Sequence, residues 1–182
     1  METLDAIEKR HSVRDFLDEK VEEEKILVIL DAARCAPSGM NRQPWHFLVL
    51  TEEKNMKTAL STNAIYNRWM NRAPVLIVAL ADSSAFYGRE SQKMYLLDMG
   101  LAIENLLLAA TDLGLGACIT IGFSAEKLQK ALKIPERYIP VALIPVGYES
   151  KEKIAEPFIK TITHAINKRK DVDDVASFEK IE

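Results

Sequence analysis

The sequence predicts a mixed domain, α/β or α+β, with a small sheet held between helical layers. Three observations lead there. Short apolar runs rich in branched residues, each the length of a buried strand, alternate with longer stretches whose apolar residues recur at helical spacing. A chain of 182 residues fits one domain that buries roughly 70% of its unfolded surface. Finally, 48% apolar and 28% charged residues is the balance of an ordered globular protein.

Taken in order, Glu2 to Lys9 reads as a short helix with Leu4 and Ile7 on one face, and the basic, non-periodic stretch Arg10 to Phe16 as a loop after it. Val21 to Arg34 places Ile26, Leu27, Leu30 and Ala33 at helical spacing, and Pro37 closes that helix. Pro37 to Pro44 is irregular. Trp45 to Thr51 and Val75 to Ala81 are strands, with a helical segment from about Glu52 to Trp69 between them.

Glu90 to Leu113 is a long helical pattern, apolar from Gly100 to Ala110 on nearly every face except at Glu104 and Asn105, so it is expected to be buried all round. Gly114 and Gly116 end it. Ala117 to Ile121 reads as a third strand leading into a helix from Ser124 to Leu132 capped by Ser124. Tyr138 to Tyr148 is the fourth strand, and Pro140 and Pro145 demote parts of it to edge positions or bends, which limits how central it can be. The expectation is a single domain over 1–182, with 150–182 as a charged arm and short helix packing on a partner subunit.

A net charge of -3 and a pI near 5.7 provide no basic field for a polyphosphate backbone, so nucleic acid is excluded as a partner. The longest apolar run, Ala73 to Ala81, is far short of the ~20 residues that span a bilayer. With no signal-peptide pattern at the start, a cytoplasmic protein is expected. Cys35 and Cys118 lack CxxC spacing and read as free buried thiols, and no metal site is indicated. Gly114 and Gly116 make no GxGxxG fingerprint, which disfavours a dinucleotide domain of Rossmann type.

Arg10, His11, Ser12 and Arg14 put two guanidiniums and a hydroxyl into one turn, a set that matches phosphate oxygens. The plain alternative is a solvated basic loop paired with Glu2, Asp5 or Asp15, and spacing alone favours it. Pro37 to Trp45 is crowded with amides and hydroxyls able to read the edge of a planar heterocycle, although such residues also dominate ordinary turns. His46 reads as a core or interface histidine, Trp69 and Leu106 to Leu108 as core, and His164 as part of the polar tail. Phe86, Tyr87 and Tyr95 lie where they could cover a ligand face.

These motifs carry a resemblance. Arg10 to Phe16, RHSVRDF, resembles the N-terminal flavin motif of the nitroreductase family, and Pro37 to Phe47, PSGMNRQPWHF, resembles its second motif almost letter for letter. APVLIVALAD from Ala73 to Asp82 and GLGACITIG from Gly114 to Gly122 follow in the family's order. The resemblance implies an α+β fold of three α/β/α layers around a mostly antiparallel sheet. It also implies an intertwined homodimer whose flavin sites are shared between subunits.

By that resemblance Arg10 and Ser12 bind the FMN phosphate, with His11 in the same turn, and Arg14 reaches the ribityl chain and pyrimidine edge. Pro37, Ser38, Gly39 and Asn41 of the other subunit line the isoalloxazine, with Gln43 nearby. Ile121 and Gly122 present backbone groups near N5, and Asn67 faces the pyrimidine oxygens. A cation at the N1 and O2 edge supports the negative charge that reduction places there, and Arg14 is that cation. No acid–base catalyst is required. The family's C-terminal basic phosphate contact has no match, because the comparable stretch reads Ala155-Glu156-Pro157, leaving Lys153 or Lys160 as substitutes.

The implied function is transfer of reducing equivalents from NADH or NADPH through FMN to a small organic acceptor, a nitroaromatic or a quinone, in alternating half-reactions. The alternatives are an FMN storage or sensor protein, and another flavin reaction on the same fold such as reductive dehalogenation or flavin breakdown.

Overall fold

The computed structural model of the chain describes residues 1–63, 65–86, 93–150, 169–177 and 179, and only the backbone of 65–68. Met1–Glu152 forms one compact unit and Lys153–Glu182 a second. Within the second, the described residues include a 3-10 turn over Val172–Asp174.

The first unit runs α1 (Thr3–Lys9), α2 (Glu23–Arg34), β1 (Trp45–Leu50), α3 (Glu53–Leu60), β2 (Val75–Asp82), α4 (Tyr95–Asp112), β3 (Gly116–Ala117), α5 (Ala125–Ala131) and β4 (Tyr138–Gly147). The sheet order is β1-β2-β4-β3, and every pairing within it is antiparallel.

The alternation of β2 explains the layers. Val75, Ile77, Ala79 and Ala81 enter one core with residues of α2 and α4, whereas Leu76, Val78 and Leu80 enter another with residues of α3 and α5. Successive side chains on a strand point to opposite faces, so a strand apolar at every position must be covered on both. The α+β, three-layer expectation is met.

Several elements depart from the sequence reading for local reasons. The segment from Glu52 to Trp69 is broken in two, α3 and a 3-10 stretch over Ile65–Arg72. Helix α4 begins at Tyr95, after Lys93 with its positive φ of 42°, and residues 90–92 of the expected helix lie outside the described ones. Nor is α4 covered all round: Leu97 and Leu101 stand 59% and 39% exposed beside Glu104.

The third strand shrinks to Gly116–Ala117, with Thr120 returning to Leu143 as an isolated bridge. Cys118 donates its amide to Pro145, and Pro145 has no N–H to return, so the ladder stops there. Of the two effects expected of the prolines, a bend is found and an edge position is not. Strand β4 lies between β2 and β3, Pro140 sitting at a bulge where the register slips and Pro145 facing the side where β3 ends.

Candidate functional site

The basic turn is positioned by backbone, not by its charges. Val13 donates its amide to the Ala117 carbonyl at 3.1 Å, and Ser12 pairs with Ala117 in a parallel bridge. Gly116 makes the approach possible: a Cβ there would sit 2.7 Å from both methyl carbons of Val13. Phe16 and Val13 bury themselves with Ala73 against Trp69, which anchors the far end of the turn.

This brings Ser12 against Cys118, with the Arg10 and Arg14 charges within electrostatic reach of its thiol. Burial pushes the Cys118 thiol up, while the Arg14 guanidinium, a hydrogen bond with Ser12 and the Arg10 guanidinium all pull it back. Arg14 donates to the Ser12 carbonyl at 3.3 Å, and its guanidinium carbon lies 6.0 Å from the Trp69 ring centroid. The turn does not pair with Glu2 or Asp5. Arg10 meets Glu104 of α4 instead, Nε to Oε1 at 3.5 Å, and the buried Asp15 takes Arg72 at 2.8 Å.

His11 points away from that cluster. Its Nδ1 donates to the Lys9 carbonyl at 2.9 Å and its Nε2 lies 3.1 Å from Glu149. The Lys9 carbonyl raises its pKa most, burial opposes, and Glu149 raises it further.

The second motif folds as a strained loop. A 3-10 turn spans Gly39–Asn41, and Met40, Asn41 and Gln43 all take positive φ, 52°, 54° and 49°. Only the asparagine tolerates that region readily, and each strained residue costs about 1–3 kcal/mol unless neighbours hold it. They do: Gln43 donates its amide to Ser38 Oγ at 2.9 Å and its side chain reaches the Asn41 carbonyl and Oδ1. From α4, Asp98 accepts the Gly39 amide at 3.2 Å. Pro37, Met40, Asn41 and Gln43 are left exposed.

Ile121 is 76% exposed, and Gly122 donates its amide to the Thr120 hydroxyl at 3.4 Å. The side chain of Asn67, with Tyr87, Lys153, Lys160 and His164, lies outside the described residues. Thus the structure joins the first motif to the segment before Ile121, but not to the 37–43 loop: Arg10 and Asn41 share no hydrogen bond or ion pair among the described residues.

Other expectations are corrected. His46 is exposed on β1 and its ring is tilted against that of Tyr138 with centroids 4.8 Å apart, so it is not a core histidine. Cys35 is exposed at the end of α2, so only Cys118 is a buried thiol. Phe86 and Tyr95 stack on each other at 4.1 Å against the α2/α4 core. No group of acidic, histidine and cysteine residues suited to a metal occurs among the described residues. A cleft of about 990 Å³ between α3 and the Arg72–Pro74 segment contains none of the expected flavin residues.

The sequence reading missed Asp98 and gave Glu104 no role beyond interrupting an apolar helix. Asp98 had a visible signal, since it interrupts the otherwise apolar stripe Ala102, Leu106, Ala110 at four-residue spacing.

Comparison with known proteins places this geometry. The nitroreductase family model matches residues 7–65 and 54–148. A Methanothermobacter thermautotrophicus protein, provisionally named an NADH dehydrogenase/NAD(P)H nitroreductase, is 36% identical over 83% of this chain and 79% of its own. A Thermotoga neapolitana iodotyrosine deiodinase is 30% identical over 84% and 91%. A Desulfovibrio desulfuricans protein, provisionally named a nitroreductase and crystallised with FMN, superposes with a TM-score of 0.82 at 28% identity, covering 100% of this chain and 99% of that one.

Proposed function

The chain belongs to the nitroreductase family, and from that premise we propose that it is an FMN-dependent oxidoreductase that moves reducing equivalents from NADH or NADPH to a small organic acceptor. The observation that carries this is the bonding of the Arg10–Arg14 turn, through Ser12 and Val13, to Ala117, which sets its two guanidiniums and hydroxyl beside the segment that leads on to Ile121 and Gly122. Two guanidiniums and a hydroxyl form a donor set that fits a phosphate.

In this reading Arg10 and Ser12 hold the FMN phosphate, and Arg14, braced over Trp69, places positive charge near the pyrimidine edge. FMN held there would supply two-electron redox chemistry suited to alternating half-reactions between a nicotinamide donor and a nitroaromatic or quinone acceptor. The chain's own residues bind and orient, and none is needed as an acid or base. Ile121 and Gly122 contribute backbone groups, Asn67 a polar edge, and His11 supports the turn from outside.

The site is completed by a second copy, whose Pro37, Ser38, Gly39, Asn41 and Gln43 close over the flavin. Supporting this, Leu4, Ile7, Leu97 and Leu101 on α1 and α4, with Met40 and Ile121, leave large apolar side chains open on one protomer. The expected 150–182 arm, apart from 150, 169–177 and 179, lies outside the described residues, and its packing on the partner is part of this proposal. No helix among the described residues is long and apolar enough to cross a membrane, and the cytoplasm is the proposed location.

The test is an absorbance spectrum of the purified protein, then anaerobic titration with each nicotinamide. Bound FMN that bleaches on addition supports the reading. Colourless protein that gains no FMN on reconstitution defeats it, and yellow protein that never bleaches points to storage or sensing. A second acceptor class is favoured by the T. neapolitana relative, a deiodinase by name: a halogenated aromatic, tested by halide release.

A further inference from the structure

Between Gly100 and Ala110 only two polar side chains interrupt an apolar helix, and the fold accounts for one of them. Asn105 donates to the carbonyl of Ala32 at 3.2 Å, tying α4 to the last turn of α2. Glu104 ties nothing to the core. Its side chain is 52% exposed, and its Oε1 lies 3.5 Å from Nε of Arg10, which is itself only 18% exposed.

We infer that Glu104 is a built-in competitor for the anion site, a positioning residue that acts through Arg10 and lowers the site's affinity for a phosphate; this rests on the flavin reading above. The contact is made at Nε, at a distance longer than a good hydrogen bond. No hydrogen bond engages the terminal nitrogens of Arg10 among the described residues, which leaves their donors to an anion. The turn itself cannot swing away, because Val13 is bonded to Ala117. A phosphate that takes the terminal nitrogens therefore arrives within a few ångströms of a carboxylate held on the same guanidinium, and like charges so placed repel.

Arg14 and Arg10 supply the attraction, and Glu104 offsets part of it. A group without the phosphate would not register Glu104, so the charge discriminates phosphorylated from unphosphorylated flavin in the direction of weaker FMN retention. Because Glu104 is half-exposed, added salt screens the effect, with a Debye length of about 8 Å at physiological ionic strength.

The test compares Kd values for FMN and for riboflavin, which lacks the phosphate, on flavin-free full-length protein followed by flavin fluorescence quenching. Glu104→Gln keeps the shape and an acceptor for Nε while removing the charge. It is expected to tighten FMN roughly three- to tenfold at low salt, less at 0.5 M KCl, with riboflavin unchanged. Glu104→Ala is expected to act in the same sense, and Arg10→Gln to weaken FMN and cancel the effect of Glu104→Gln in the double variant. An FMN Kd that stays within twofold, an equal shift for both flavins, or an effect that survives in the Arg10→Gln background overturns the inference. Wild-type protein that binds neither flavin overturns the functional reading itself, a different outcome.

Discussion

The backbone amide of Gly39 donates to Oδ1 of Asp98 across 3.2 Å, so a buried carboxylate in the first turn of α4 holds the loop that carries the second motif. Asp98 is only 2% exposed, and the loop it holds has three non-glycine residues in the left-handed region. Its removal is expected to release that strain. Asp98→Ala should lower stability by about 1.5–3 kcal/mol, the range for hydrogen bonds to charged groups, and weaken flavin binding. Asp98→Asn keeps an acceptor and should recover most of both. Urea melts and FMN titration of the two variants check this, and equal behaviour would show that the Gly39 bond does not matter.

Gly116 and Val13 approach so closely that any side chain at 116 must displace the basic turn. Gly116→Ala is expected to cost about 1–3 kcal/mol, as overpacking does, and to weaken FMN more than it weakens riboflavin. Gly116→Ala combined with Val13→Ala should recover FMN affinity in part. Thermal melts and paired flavin titrations measure both effects.

His11 joins the turn to Glu149 beyond β4, and its folded pKa lies above the ordinary 6.5, first through the Lys9 carbonyl and then through Glu149, against burial. The sign follows from linkage: a raised pKa in the folded state means stability fully present below the unfolded value and lost as pH rises through the folded one. Wild-type protein should therefore lose a small increment of stability between about pH 6 and 8 that His11→Gln lacks. Urea midpoints at pH 5.5 and 8.5 for the two proteins provide the comparison. Parallel pH profiles would remove His11 from the account.

The two thiols should separate chemically. Cys35 is exposed, whereas Cys118 is buried with its pKa pushed up chiefly by desolvation. A disulfide reagent is expected to modify one thiol promptly in native flavin-free protein and both after denaturation, since the thiolate is the reactive form. Cys35→Ser should abolish the fast phase. Fast modification of Cys118 in native protein would contradict its burial beneath the arginines.

How far the sequence reached depended on the range of the interaction. Periodicity placed most helices and strands of the first unit to within a few residues, though not the broken segment from Glu52 to Trp69, because an apolar strand such as β2 or a capped helix such as α5 declares itself locally. It failed where a distant partner decided: β3 stops because Pro145 opposes it, and β4 is central despite two prolines because a bulge accommodates one and the end of β3 the other.

The site divided in the same way. Residue type alone marked Arg10, Ser12, Arg14 and the 37–43 loop as suited to an anion and a planar ligand, since those chemistries belong to the side chains themselves. Only the tertiary structure decided that Arg10 meets Glu104, that Asp98 holds Gly39, that His11 turns to Glu149, and that His46 faces outward. Each of those depends on chain segments far apart in sequence being brought within a few ångströms, and a linear pattern contains no distance.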